Sequence, residues 1–289
     1  WPARTLEMID SALEGRLAAI RCVALDLDGT VYKGGTLYEW TVPFLAVLQE
    51  LGIDYHFLTN NCSRSAREYV KHLNELGLNA TADQVFTSGL ATIEYLRGEY
   101  PQIRRLYVLG TDSLDEEFRE AGFEVFNGSQ PAEPDAVVVA FDMQLDYAGL
   151  CKAGYWIKRG KPFLATHPDL ICPTDRETLL VDCGAICATL ERATGRKPDI
   201  VVGKPNPQML RGILARQDLQ PNQLAMVGDR LYTDIAMANA CGAVSVLVLS
   251  GEATAACVEK SDIQPDLVVA TLAEFGQVLL HSTKQRRSA

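Results

Sequence analysis

An apolar run over residues 22–27 ends in Asp26-Leu27-Asp28-Gly29-Thr30. Side chains two apart on a strand share a face, so Asp26 and Asp28 start on one side and repel each other. Two such carboxylates coexist only with a cation or a shared proton. Mg²⁺ suits the pair, because it takes oxygen ligands and is commonly held by one or two carboxylates plus a substrate phosphate. Asp-Gly is also an ordinary turn after a strand, so the string needs support from elsewhere. Three further strand ends supply it. Thr59-Asn60-Asn61 offers a hydroxyl, amides and backbone N–H groups just before a helix, a neutral donor set for oxyanions. Gly203-Lys204-Pro205 puts a compact cation, able to pair with phosphate and carboxylate alike, at the entrance of another helix. Gly228-Asp229-Arg230-Leu231-Tyr232-Thr233-Asp234 adds two more carboxylates. Singly, Lys204 reads as a solvated loop lysine and Asp234 as a helix-capping acid. Together, at ends of strands where open α/β sheets bind ligands, the four sets point to phosphate chemistry around a cation.

The elements that must carry these residues follow from punctuation by Gly, Pro and Asp. Short β-branched runs alternate with helical patterns, the mark of an α/β architecture with a largely parallel sheet. After the strand at 22–27, a helix is expected over 41–51, with Thr41 as its N-cap, Pro43 in its first turn and Gly52 past its end. A strand at 54–58 runs into Thr59. Ser65-Ala66-Arg67-Glu68 forms a capping box opening an amphipathic helix that Gly77 stops. From about residue 88 the alternation starts again: strands at 106–109, 136–141 and 163–166, helices at 114–121, 146–159 and 184–194. It resumes with a strand at 200–202, a helix at 207–216, a strand at 224–227, a helix at 233–240 and a strand at 244–249. A lead-in helix is expected near 5–17, and the tail 282–289 reads as a frayed polar end.

The 289 residues predict about two domains. With 47% apolar and 22% charged residues the chain has the profile of an ordinary water-soluble globular protein. No apolar stretch approaches the length of a membrane span, and the N-terminal residues lack the basic and apolar regions of a signal peptide. The 27 Lys and Arg against 37 Asp and Glu give a net charge of −10, which speaks against a nucleic-acid surface. It also requires any site for an anion to create its own positive field. The eight cysteines include no short CxxC pair, and Cys183 and Cys187 have the spacing of one helical face. They read as reduced, mostly buried thiols of a cytoplasmic protein.

The four sets together resemble the four motifs of the haloacid dehalogenase (HAD) superfamily of phosphohydrolases. The resemblance spans nearly the whole chain. Between Thr30 and Thr59 lie 28 residues, room for a loop and one helix, whereas 142 separate Asn61 from Lys204. A cap domain inserted between the second and third motifs, as in type II caps, is therefore implied. The expected organisation is a discontinuous Rossmann-like core of parallel sheet and helices, residues 1–87 and 198–289, and an α/β cap at 88–197, joined near 86–89 and 196–199. Tyr32-Lys33-Gly34, Thr59-Asn60-Asn61, Ala165-Thr166-His167-Pro168-Asp169 and Cys183-Gly184-Ala185-Ile186 are similar to the NagD/p-nitrophenylphosphatase subfamily. Two departures stand out: His167 where that subfamily often has Asn, and Cys62 where it often has Ser.

The resemblance implies a Mg²⁺-dependent phosphatase in which Asp26 attacks phosphorus to give an aspartyl-phosphate, and Asp28 protonates the leaving alkoxide and then activates water. Asp28 separates hydrolases from dehalogenases here, since a halide leaves without a proton. Mg²⁺ would be held by Asp26, the main-chain carbonyl of Asp28 and Asp229, with Asp234 orienting a water or Lys204 from behind them. Thr59, the amides at Asn60 and Asn61, and Lys204 would bind phosphoryl oxygens. Thr166, His167, Asp169 and the turn Gly184-Ala185-Ile186 are the cap's candidates for reading the leaving group. The cap carries no dense Arg cluster, so a small sugar phosphate or a similar phosphorylated metabolite is the expected partner. Self-association is left open. So are a phosphate-binding regulatory module with lapsed catalysis and a phosphotransferase with an acceptor other than water.

Overall fold

The computed structural model describes residues 9–127, 133–172 and 177–288. By its contacts the chain divides into two compact units. One takes the chain up to Leu58, Leu73–Val85 and everything from Leu210 on; the other takes Thr59–His72 and Phe86–Met209.

The first unit is organised on a six-stranded sheet in the order Leu267–Val269, Val244–Val248, Leu224–Gly228, Cys22–Asp26, Asp54–Thr59, Val85–Thr87. Its central pairs are parallel, with Val23 opposite Ala225 and Tyr55, and Asp26 opposite Leu58. Cys22, Val23, Ala24 and Leu25 are all 0% exposed, as befits a strand covered on both faces. That register brings the strand carrying Asp26 and the strand carrying Thr59 to their carboxyl ends within a residue of each other.

The helix Thr41–Leu51 has the expected limits, and Gly52 closes it in the left-handed region at φ +66°. Thr41 is its first residue rather than its cap: Trp40 caps it, and the Thr41 hydroxyl instead donates to Val31 O at 2.6 Å. The lead-in helix is Ser11–Ala18, capped by Asp10; residues 5–8 of the expected segment lie outside the described residues. The tail is not frayed. A helix runs Leu272–Ser288, because Phe275, Val278, Leu279 and Ser282 repeat at helical spacing and are buried, with the Phe275 ring 5.7 Å from that of Phe44. The expected helix at 233–240 divides into a wide turn Leu231–Ile235, where Ile235 N reaches back five residues to Arg230 O, and a short helix Ala236–Cys241.

The second unit has its own sheet, parallel throughout, in the order Ile200–Val201, Phe163–Ala165, Ala136–Val139, Arg105–Leu109, Glu124–Phe126. Ala136–Val139 is buried at every position. Its two sides pack separate apolar clusters, Leu106, Val108, Val138 and Phe118 in one and Tyr107, Val137, Val139 and Trp156 in the other, as alternation along a strand requires. The capping box forms as read: Ser65 N donates to Glu68 Oε2 at 3.0 Å and Glu68 N to Ser65 Oγ at 3.3 Å, opening the helix Ala66–Glu75. Two short hairpins, Tyr32–Lys33 with Thr36–Leu37 and Ile171–Cys172 with Leu180–Val181, were not legible in the sequence. All eight cysteines are free thiols. Among the described residues no helix is long and apolar enough to cross a membrane.

Candidate active site

In the first unit, Leu27 O accepts from the amides of Thr30, Val31 and Tyr32 at 3.2, 2.9 and 3.2 Å, so the chain folds back sharply after Asp26. Gly29 makes this possible with φ +86°, and its amide donates to Tyr32 O at 2.8 Å. A side chain there would run into the Asp229 carboxylate and come within 3.1 Å of Gly251 Cα. Gly251 is pressed against the same carboxylate, while Gly228 is pressed against that of Asp234. Three glycines thus make room for two acids.

Asp229 and Asp234 are 3% and 1% exposed. Asp229 Oδ2 accepts from Glu252 N at 2.7 Å, and Asp234 Oδ2 accepts from Arg230 N at 3.2 Å. Ser250 Oγ donates to Gly29 O and Tyr38 Oη to Ser250 O, both at 2.7 Å, so the loop after the strand Val244–Val248 ties the Asp28-Gly29 turn to Asp229. Asp26, Asp229 and Asp234 each offer a carboxylate oxygen within 4.8 Å of the other two. The oxygens around one octahedral Mg²⁺ stand roughly 3–4 Å apart, so three hard, negatively charged donors at this spacing fit that ion. The field they create is felt nearby. Burial, then Asp229 and Asp28, push the Tyr38 phenol up. Burial works against the Arg230 charge, but Tyr232, Asp26, Glu252 and Asp229 outweigh it and keep the guanidinium charged, with its Nε 2.9 Å from Glu252 Oε2. Arg230 and the Ser250-Gly251-Glu252 loop were missed in the sequence; a fifth strand end carrying Ser-Gly was the available signal.

The second unit holds Thr59, Asn60, Asn61 and Lys204. Thr59, Asn60 and Lys204 are 5%, 7% and 2% exposed. Asn61 N donates to Thr59 Oγ1 at 3.1 Å, which leaves the Thr59 O–H as a donor for another oxygen. The Asn60 side chain is committed to the protein: its Oδ1 accepts from Lys204 N at 2.8 Å, and its Nδ2 donates to Lys204 O at 3.1 Å and to Asp169 Oδ2 at 3.2 Å. Asn61 Oδ1 accepts from Ser63 N at 2.9 Å. What Asn60 can offer an oxyanion is therefore its main-chain N–H, whereas the Asn61 N–H is turned to Thr59 Oγ1 and its Nδ2 to Cys172 Sγ at 3.5 Å.

Of the six candidates for leaving-group contacts, Thr166 and His167 are 0% exposed and Ile186 2%, while Asp169, Gly184 and Ala185 are half-buried. His167 is neither on a surface loop nor open to a ligand. Its Nδ1 lies 2.8 Å from Thr166 Oγ1 and its Nε2 2.8 Å from Asp182 Oδ1, an oxygen that also caps the helix Cys183–Thr194 through Cys183 N. Burial disfavours the charged ring, yet the surrounding Cys183, Asp182 and Cys62 raise its basicity well above that of an ordinary histidine. Burial pushes the Cys183 thiol up while the nearby ring works the other way, and Asp182 is the carboxylate that bonds the ring directly. His167, Asp169 and Asp182 also have ligand atoms within 4.8 Å of one another.

Comparisons with known proteins place the chain in a family. Residues 23–124 match the haloacid dehalogenase-like hydrolase family and residues 201–275 a second HAD-hydrolase-like family. The D-glycerol 3-phosphate phosphatase of Mycobacterium tuberculosis is 37% identical over 230 residues, which cover 80% of this chain and 63% of that enzyme. The ribonucleotide monophosphatase NagD of Escherichia coli is 29% identical, covering 89% and 98%. The acid sugar phosphatase of Staphylococcus saprophyticus is 32% identical, covering 83% and 91%. Among solved structures, the 4-nitrophenylphosphatase of Thermotoga maritima superposes with a TM-score of 0.85 at 38% identity over 91% of this chain and 98% of that one. The mycobacterial glycerol phosphate phosphatase, solved in complex with magnesium, superposes with a TM-score of 0.83 at 34% identity over 90% and 78%. The family matches, the curated relatives and the solved structures lead to one assignment: the chain belongs to the haloacid dehalogenase-like hydrolases and is a NagD-like phosphatase.

Proposed function

We propose that this phosphatase hydrolyses a small phosphorylated metabolite of the sugar-phosphate or glycerol-phosphate kind, with Mg²⁺, through an aspartyl-phosphate on Asp26. The observation that carries this reading is the trio Asp26, Asp229 and Asp234, whose oxygens stand within 4.8 Å of one another beside a turn too tight for any residue but glycine. Bound there by Asp26, Asp229 and the carbonyl of Asp28, with Asp234 close behind, Mg²⁺ would neutralise carboxylate and phosphate charge. Asp26 attacks phosphorus; the P–O bond to the leaving alkoxide breaks, and the alkoxide takes the Asp28 proton. Asp28 then takes a proton from water, the resulting hydroxide attacks phosphorus, and Asp26 leaves as carboxylate. Thr59 O–H, itself oriented by the Asn61 amide, the main-chain N–H of Asn60 and the Lys204 ammonium hold the phosphoryl oxygens as charge moves onto them. Residues 1–87 and 198–289 are assigned as the catalytic core and 88–197 as the cap that selects the leaving group. The names of the relatives support the substrate class, and the eight free thiols suit a reducing, cytoplasmic setting.

The test is a panel of phosphorylated metabolites and p-nitrophenyl phosphate, each assayed with Mg²⁺ and with EDTA. Mg²⁺-dependent release of inorganic phosphate, with the highest turnover on sugar or glycerol phosphates, is the expected result. No turnover between pH 5 and 9 would instead make the chain a phosphate-binding module. Transfer of the phosphoryl group to added sugars would make it a phosphotransferase.

A further inference from the structure

The role proposed for Lys204 requires its ammonium to be presented from a fixed backbone, and the second unit contains a device that fixes the Lys204 main chain. The Asn60 side chain bonds both the N–H and the C=O of Lys204, at 2.8 and 3.1 Å, in the manner of a neighbouring strand. Its amide orientation is fixed by this pairing, since a flipped group would set donor against donor. The remaining Nδ2 hydrogen goes to Asp169 Oδ2 at 3.2 Å, while Asn60 O accepts from Ser88 Oγ at 2.5 Å. Asp169 is fixed in turn. Its carbonyl accepts from Gly184 N at 2.8 Å, and at the other end of its segment Thr166 O accepts from Gly203 N at 2.7 Å. Between these points the buried His167 is tied to Asp182. The assembly has no slack: a Cβ on Gly203 would stand 2.6 Å from both Asn60 Oδ1 and Thr166 O, and 3.1 Å from His167 Cβ.

We propose that Asp169 and Asn60 are positioning residues for Lys204, Asp169 orienting the Asn60 amide and Asn60 clamping the Lys204 main chain, with the His167–Asp182 pair anchoring the segment that carries Asp169. This rests on the proposed role of Lys204. Asp169 then acts on the phosphoryl group at second hand, through Asn60.

The test exchanges donor and acceptor across one bond. Asn60→Asp keeps the side chain's shape and its acceptor for Lys204 N but removes Nδ2 and sets a second carboxylate against Asp169. Adding Asp169→Asn restores a donor opposite an acceptor. With p-nitrophenyl phosphate and Mg²⁺, Asn60→Asp should lower kcat by about 10²-fold, the loss that follows from misplacing a catalytic group by about 1 Å, with a smaller change in KM. The double variant should recover part of that loss, because the bond between positions 60 and 169 returns while Lys204 O stays without the Nδ2 donor, and Asp169→Asn alone, whose amide oxygen still accepts, should lose less than Asn60→Asp. An Asn60→Asp variant within about threefold of the parent, or a double variant no better than Asn60→Asp, overturns the inference. Lys204→Ala runs in parallel: if it is fully active, the reading of Lys204 itself fails, whereas an inactive Lys204→Ala beside an active Asn60→Asp removes only the positioning roles. Should Asn60→Asp not fold, Asp169→Ala decides. A fall in kcat at an unchanged thermal midpoint supports the relay, and an unchanged kcat overturns it.

Discussion

Two groups of side chains in this protein crowd carboxylates to the same limit, and they solve the resulting repulsion differently. Asp26, Asp229 and Asp234 are three acids, each offering an oxygen within 4.8 Å of the others; His167, Asp169 and Asp182 meet the same limit with two acids and an imidazole. In the second group the charges are answered from within: Asp182 faces the His167 ring at 2.8 Å and Asp169 takes the Asn60 amide. In the first, the bonds to Glu252 N and Arg230 N offset part of the charge, and a divalent cation fits the rest. Proximity of acids therefore does not by itself mark a metal site. What separates the two is that in the second a base is itself one of the three clustered groups, whereas in the first all three are acids.

The largest effect that follows is catalytic. Asp26→Asn should lower turnover of p-nitrophenyl phosphate by on the order of 10³-fold or more while leaving the fold intact, since it removes the nucleophile and only slightly alters the volume. Full activity in that variant, with an unchanged circular dichroism spectrum, would remove the first cluster from the chemistry and with it the contrast.

Next comes the second cluster's internal charge balance. Asp182→Ala leaves a buried imidazolium without its counter-charge, and about 3–5 kcal/mol of stability should be lost near pH 6. Because the His167 basicity is raised in the folded protein, the stabilisation it brings is fully present below the unfolded histidine value of 6.5 and is lost as pH rises through the folded value. The cost of Asp182→Ala, read from urea unfolding, should therefore shrink at alkaline pH. A cost that is the same at pH 6 and pH 10 would show that the pair is held by packing alone.

Ligand linkage then distinguishes the clusters directly. Mg²⁺ at a thousand times its dissociation constant should stabilise the protein by about 4 kcal/mol, seen as a rise in thermal midpoint. Asp229→Asn should abolish that rise and Asp182→Asn should leave it. The reverse pattern would place the ion in the second cluster.

How much of this the sequence could disclose depended on whether the governing interactions were local. The helix Thr41–Leu51, its stop at Gly52 and the Ser65/Glu68 capping box all rest on contacts within a few residues, and they appear where spacing put them. The strands that end at Asp26 and just before Asp229 were legible because buried parallel strands are near-continuous apolar runs, and the strand Asp54–Thr59 through its apolar Phe57-Leu58 core between Gly52 and the Thr-Asn-Asn turn. His167 was not. Its burial follows from Asp182, fifteen residues on, and from Cys62 and Thr166, and no local pattern announces that meeting. The same holds for Asn60, whose type suggested an oxyanion donor but whose side chain is taken by Lys204, 144 residues away.

A third way of housing a buried acid gives the smallest and most discriminating prediction. Glu117 is 9% exposed; its Oε1 accepts from Ala66 N at 2.7 Å, at the start of the helix that follows the Thr59-Asn60-Asn61 loop. Burial, then Glu120 and Glu68, outweigh the Ala66 hydrogen bond and Arg67 and push its carboxyl from 4.5 up to about 7. Here the charge is answered neither by an ion nor by an imidazolium but by a proton. A folded value above the unfolded one means that the protonated form is favoured on folding, so stability is full below pH 4.5 and declines as pH rises through about 7. Glu117→Gln keeps an oxygen for Ala66 N and has nothing to ionise. Subtracting its stability curve from that of the parent should give a difference that is flat below pH 4.5 and grows to about 3 kcal/mol in the variant's favour above pH 7. A flat difference across the whole range would mean that Glu117 is already ionised, and would reduce the three solutions to two.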